Sequence, residues 1–264
     1  MDVVLDKLSR SFGPREVVRQ LSFEVPSGQL FGFLGPNGSG KSTTIKMLTT
    51  LLPPTAGDAS IGGASIRQLQ AVRERIAVVF QDPSLDTRLS ALENLVLYGA
   101  LYRPAWSRAE RHERAMVALE AMGLADRATE QARTYSWGMR RRVEIARALL
   151  TEPGVLFLDE PTTGLDPQTR ASLWEHLAAL QQRTRVTLFL ATHDMEEAER
   201  CERIAVLHHG RLQALDSPAG LCEATETATL TQAFLSLTSR DIDEDEVEGP
   251  LMIKGRDSTL FRRG

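Results

Sequence analysis

Gly35-Pro36-Asn37-Gly38-Ser39-Gly40-Lys41-Ser42-Thr43 decides the fold of this chain. Gly35, Gly40, Lys41 and Ser42 stand at the spacing of a phosphate-binding P-loop. Ahead of it runs the almost wholly apolar Leu30-Phe31-Gly32-Phe33-Leu34, which reads as a strand. Behind it Ile45, Leu48 and Leu52 share one face of a helical pattern, expected to end at Pro53-Pro54. In that strand–loop–helix setting the glycines let successive amides turn inward on phosphate oxygens. The helix start adds its positive dipole end, Lys41 reaches the terminal phosphates, and the Ser42 hydroxyl is a ligand for magnesium. The stretch therefore implies a site for a nucleoside triphosphate.

The 264 residues suit one large domain or a domain with a subdomain. At 42% hydrophobic and 25% charged, the composition is that of a globular protein, and a net charge of −4 argues against a surface that coats nucleic acid. No apolar run is long enough to cross a bilayer, and Met1-Asp2-Val3 opens no signal peptide, so a cytoplasmic location is expected. Cys201 and Cys222 form no ligand cluster and read as reduced thiols.

Residues 2–34 read as β-rich, with Phe12 just before the Gly13-Pro14 turn, placed either for the core or to stack on a base. The run Ile76-Ala77-Val78-Val79-Phe80 is apolar on both faces, as a strand covered on both sides should be. It delivers Gln81 to the carboxyl end of a sheet, where open α/β folds bind ligands; a plain strand-terminating glutamine is the other reading. Residues 87–150 change to helical patterns and form an expected helical insertion. Its last helix opens at Tyr135-Ser136-Trp137-Gly138-Met139, with Met139, Val143, Ala146 and Leu150 as a buried stripe. Arg140-Arg141-Arg142 fall largely off that stripe and read as a solvated face.

A second two-faced apolar strand, Val155-Leu156-Phe157-Leu158, delivers Asp159-Glu160. Adjacent carboxylates there need a cation or partner. Asp159 is suited to magnesium, directly or through water, and Glu160 to a position facing an attacking water. Asp166-Pro167 reads as a helix cap followed by a first-turn proline. The strand Val186–Leu190 ends in Ala191-Thr192-His193-Asp194, with His193 at the same sheet edge as Gln81 and Asp159 and Asp194 capping the next helix. His208-His209-Gly210 reads as a hairpin turn, and 217–238 as short helices. The acidic stretch from Asp241 to Glu248 sits in a tail, 239–264, expected to be flexible.

These motifs in this order resemble an ATP-binding cassette (ABC) transporter ATPase subunit over about residues 2–238: loop 35–43, Gln81, strand 155–160, the D-loop at 164–166 and the switch histidine His193. The Tyr135-Ser136-x-Gly138-Met139-Arg140-Arg141-Arg142 signature is similar to that of the daunorubicin- and multidrug-exporter branch. So is Gln81-Asp82-Pro83-Ser84-Leu85-Asp86 with Glu93-Asn94-Leu95. The resemblance implies a P-loop NTPase of α/β class with a mostly parallel core sheet, an N-terminal antiparallel β subdomain and an inserted helical subdomain. It implies ATP and Mg2+, the latter on Ser42, Gln81 and Asp159. Two cassettes, as a homodimer rather than a heterodimer, would close head to tail, with Ser136 and Gly138 of one meeting the γ-phosphate on the other's loop. Phe12 would stack on adenine and Asp166 would lie in the D-loop. Glu160, His193 and Gln81 would carry hydrolysis, with Lys41 and His193 stabilising the developing charge. A separate membrane permease, docked near 82–104, would place the subunit on the inner face of the cell membrane as the motor of an exporter of drugs, lipids or polysaccharides. A non-transport ATP switch and a regulatory ATP-binding module are the rival readings. Trp137 and Met139 depart from the family pattern, which usually has Gly, sometimes Lys, and then Gln, and the Trp137 ring is expected to point away from the phosphates.

Overall fold

The computed structural model describes residues 1–82 and 84–239, so from residue 240 onward the tail expected to be flexible lies outside the described residues. The first half of the chain runs β1 (Val3–Phe12), β2 (Arg15–Val25), β3 (Leu30–Leu34), α1 (Lys41–Leu48), β4 (Ala56–Ile61), β5 (Ala64–Ser65), α2 (Leu69–Arg73) and β6 (Ile76–Val79). Three helices follow, α3 (Ala91–Tyr102), α4 (Arg108–Ala121) and α5 (Trp137–Leu149). The chain then continues through β7 (Val155–Asp159), α6 (Pro167–Thr184), β8 (Thr187–Thr192), α7 (Met195–Glu199), β9 (Arg203–His208), β10 (Arg211–Asp216), α8 (Pro218–Ala224) and α9 (Leu230–Ser239).

Two sheets result. β1 and β2 pair antiparallel across Gly13-Pro14, and β4 and β5 extend them in the order β2-β1-β4-β5. The larger sheet has the order β10-β9-β3-β8-β7-β6. Its strands from β9 to β6 are parallel, and β10 turns back on β9 through His209 and Gly210, both at positive φ. Two consecutive left-handed residues are what a two-residue hairpin turn needs.

The buried strands carry two cores, one on each face, because successive side chains point to opposite sides. Val155 and Phe157 of β7, with Phe31, Phe33 and Phe189, pack towards α1 and the antiparallel sheet. Phe189 lies 5.2 Å, ring centre to ring centre, from both Phe31 and Phe157. Leu156 and Leu158, with Leu188 and Leu190, pack on the other side against α3 to α6. Covering both faces explains why these strands read as continuous apolar runs.

Helix ends follow their capping chemistry. Ser90 and Glu93 make a reciprocal capping box on α3; Ser107, Ser136, Asp166, Asp194 and Ser217 cap α4, α5, α6, α7 and α8. Two expectations need correction. α1 does not run to Pro53-Pro54 but stops at Leu48: Leu51 and Leu52 both donate their amides to the Lys46 carbonyl, and Thr50 turns to φ 62, which leaves Leu52 outside the helix. The Arg140–Arg142 run is not a solvated face, since Arg141 is only 4% exposed. Arg140 donates to the carbonyls of Ala132 and Arg133, and Arg142 to that of Met122, because the turns before α5 leave carbonyls that a long guanidinium can reach.

Candidate active site

The carboxyl ends of β3, β8, β7 and β6 lie side by side, and every candidate of the central cluster leaves from one of them. Loop 35–43 follows β3. It is stitched down by the Gly35 amide on the Thr192 carbonyl and by the Gly210 amide on the Ser39 carbonyl. Gly35 admits no side chain, because a Cβ there would lie 2.4 Å from the Leu207 carbonyl oxygen. Pro36, Asn37, Gly38 and Ser39 make the bend, Gly40 is the N-cap of α1, and Thr43 lies half-buried in its first turn. Lys41 is buried, with Nζ donating to the carbonyls of Gly35 at 2.6 Å and Pro36 at 3.1 Å. Burial pulls its ammonium below the usual lysine range, opposed by the carboxylates of Glu160 and Asp159.

Asp159 ends β7 and is buried at 5% exposure. Burial pushes its carboxyl above the ordinary aspartate value, while a hydrogen bond from the exposed Ser42 side chain works against that shift. Its Oδ1 has no hydrogen-bonding partner in the protein. A buried, unpartnered carboxylate oxygen beside a hydroxyl is a hard-oxygen donor set, which suits a magnesium ion that takes its remaining ligands from phosphates and water. The residues present therefore fit the ion.

Glu160 follows at φ 48, a conformation that costs a non-glycine residue about 1–3 kcal/mol unless its surroundings impose it. Its Oε1 meets Nδ1 of His193 at 2.9 Å, and its Oε2 accepts from Gln81 Nε2 and from Thr163 Oγ1, each at 3.3 Å. Gln81, at the end of β6, thus reaches Glu160 rather than the Ser42–Asp159 pair. His193, just past β8, is half-exposed.

The remaining candidates lie apart from this cluster. Phe12 ends β1 at the hairpin tip, 47% exposed, with the Arg10 guanidinium 4.6 Å over its ring. Ser136 accepts the Met139 amide as the cap of α5. Gly138 is buried against α6, where a Cβ would come 2.0 Å from Thr169 Cγ2. Asp166 caps α6 through Thr169, whose amide and hydroxyl hold its carboxyl below the usual range. The Trp137 indole lies on the loop after Glu160, with Nε1 3.3 Å from the Thr163 carbonyl oxygen.

Sequence reasoning missed Arg141. Its guanidinium donates to the carbonyls of Phe80, Asp159 and Pro161 and pairs with buried Glu144 at 3.2 Å. Glu144 in turn accepts the Ser84 amide, and Arg147 reaches the Ser84 carbonyl, so one face of α5 holds the ends of both β6 and β7. The signal lay in the spacing of Arg141, Glu144 and Ala148, which puts them together on a second face of α5, opposite the apolar stripe, and that face is buried too.

Clefts open on the surface of the described residues. One, of about 570 Å3, is lined by Gln81, Asp82, Trp137, Thr163 and Gly164 and adjoins the cluster. A larger one, about 840 Å3, lies among Met1, Gly154 and Val186 at the amino ends of the strands, away from the edge where such sheets bind ligands.

The ABC transporter family matches residues 18–163, which take in loop 35–43, Gln81, the α5 signature and Asp159-Glu160. The Nod factor export ATP-binding protein I of Paraburkholderia xenovorans is 43% identical over 83% of this chain and 72% of its own length. The daunorubicin/doxorubicin resistance ATP-binding protein DrrA of Streptomyces peucetius is 44% identical over 78% of this chain and 62% of its own length. Among solved structures, an ATP-binding subunit of an ABC transporter superposes with a TM-score of 0.78 at 29% identity, covering 90% of this chain and all but 1% of that one. A dimeric ATP-binding cassette in a post-hydrolysis state with ADP and Pi superposes with a TM-score of 0.72 at 30% identity, covering 81% and 98% of the two chains. The chain belongs to the ABC transporter family and is one of its ATP-hydrolysing cassettes.

Proposed function

We propose that this cassette drives export through a separate membrane-spanning permease, acting as one half of a head-to-tail pair of identical cassettes. Export is supported by its relatives, which are named for Nod factor export, linearmycin resistance and daunorubicin/doxorubicin resistance. Among the described residues no helix is long and apolar enough to cross a membrane. Bound to such a permease, the cassette would sit on the inner face of the membrane. Residues 1–238 act as one nucleotide-binding domain with 87–150 as its helical subdomain. The exposed Leu97, Leu101 and Tyr102 of α3 offer the permease an apolar face within the expected 82–104 region.

The observation that carries the catalytic reading is the Glu160 carboxylate, held by His193, Gln81 and Thr163 beside Lys41 and the Ser42–Asp159 pair. Loop 35–43 binds the phosphates through its amides and Lys41. Ser42 and Asp159 would hold magnesium, which when bound neutralises phosphate charge, while Gln81 stays on the Glu160 carboxylate. Glu160 orients the attacking water, and His193 fixes the carboxylate and supports charge on the transferred phosphoryl. Phe12 stacks on adenine, with Arg10 already backing its other face. Ser136, the Gly138 amide and Asp166 complete the partner's site.

Glu160→Gln should leave ATP binding intact and slow phosphate release by about 10²–10⁴-fold. Undiminished release would remove Glu160 from the reaction. Recovery of a membrane-spanning chain bound to the cassette in detergent extracts tests the transport half.

A further inference from the structure

Trp137 is a large aromatic left 45% exposed, so burial does not account for its place. Its indole N–H donates to the Thr163 carbonyl at 3.3 Å, and its ring lies beside Gly164 in the lining of the cleft shared with Gln81 and Asp82. Thr163, itself exposed, donates its hydroxyl to Glu160 Oε2 and its amide to the Glu160 carbonyl, each at 3.3 Å. Trp137 and Arg141 stand four apart, on one face of α5. Both donate into the same loop, Arg141 to the carbonyls of Asp159 and Pro161 and Trp137 to that of Thr163. A single helix face therefore grips this loop at its start and again at its middle.

We propose that Trp137 is a positioning residue for hydrolysis, acting through Thr163 on the carboxylate of Glu160. This rests on the reading of Glu160 as the group that orients water. The terminal torsion of a glutamate is soft, so donors must fix it. Glu160 is also held at an unfavourable φ, which persists only where neighbours impose it. Trp137 anchors the backbone of Thr163, which keeps the Thr163 hydroxyl within donating reach of Glu160 Oε2. The helix opened by Ser136 and the Glu160 carboxylate are thereby joined by one chain of hydrogen bonds.

Trp137→Phe keeps a ring and removes only the N–H. In this variant kcat should fall roughly three- to tenfold, the range that one hydrogen bond spans, with KM for ATP changed by less than about twofold. Thr163→Val should act similarly. The double variant should fall no further than the worse single one, because either change breaks the same relay. A second readout needs no turnover: hydrogen exchange in the protein without nucleotide. The amides of Thr163 and Leu165, bonded to the carbonyls of Glu160 and Thr162, should exchange at least about threefold faster in Trp137→Phe. Unchanged exchange, or multiplying effects of the two substitutions on kcat, would overturn the proposal. If the wild-type cassette released no phosphate, the proposed function would fail and the role in hydrolysis with it, while the exchange arm would still decide whether Trp137 anchors the loop that holds Glu160.

Discussion

Nδ1 of His193 and Oε1 of Glu160 meet at 2.9 Å across the ends of the neighbouring parallel strands β8 and β7. The contact lets one imidazole fix the direction of the Glu160 carboxylate. His193→Ala should slow phosphate release by about 10²-fold or more, the scale of a lost acid–base or orienting group, with ATP affinity nearly unchanged. Single-turnover hydrolysis with nucleotide binding measured alongside checks this; wild-type hydrolysis would place His193 outside the chemistry.

Arg141 is a stability element. Replacing it by Met strips donors from the carbonyls of Phe80, Asp159 and Pro161 and leaves Glu144 buried without its cation. Removing one partner of a buried pair costs about 3–5 kcal/mol. Urea unfolding should show that loss, and adding Glu144→Gln should recover part of it.

Gly138 separates packing from phosphate contact. In Gly138→Ala the new methyl would overlap Thr169 Cγ2, an overpacking that costs about 1–3 kcal/mol. Thr169→Ser removes that methyl while keeping the hydroxyl on Asp166. The double variant should regain most of the stability in a denaturant titration. Activity that stayed low after stability returned would show that the glycine also serves the nucleotide.

Glu197 should give the fold a pH signature. It is buried on α7, accepts the Thr162 hydroxyl, and burial pushes its carboxyl above the ordinary glutamate value. A raised native pKa means that its contribution is fully present below the unfolded value, about 4.3, and is lost as pH rises through the native one. Glu197→Gln is neutral throughout and keeps an oxygen for Thr162. Its stability relative to wild type should therefore increase as pH rises above about 4.3, the unfolded value. A difference that stays constant with pH would show that Glu197 keeps its unfolded-state affinity for protons.

The fold was legible wherever local chemistry agreed with the whole. Leu156-Phe157-Leu158 can be apolar on both faces only in a covered strand, and the polar Asp159-Glu160 that follows marks where that strand leaves the core. The same reasoning reached His193 after β8 and Gln81 after β6. Arg141 escaped it because three adjacent arginines look like a solvated face, and only the carbonyls left at the ends of β6 and β7 make a buried guanidinium worthwhile. The bond of Trp137 to Thr163 joins residues 26 apart in sequence, a pairing that no periodicity reports. The end of α1 at Leu48 was set by the left-handed Thr50, which no proline announced.

The order of strands in the larger sheet carries a consequence for how the protein is made. β8 lies between β3 and β7, yet it is the last of the four strands whose ends carry the central cluster to leave the ribosome. Until residue 192 has been synthesised, the strand bearing loop 35–43 and the strand bearing Asp159 each present an unpaired apolar edge. Such edges invite association with other chains. A product stalled between about residues 160 and 187 would hold loop 35–43 and Asp159 and still lack the strand that brings them together. Nucleotide capture and protection from aggregation should thus appear in the same narrow window of chain length.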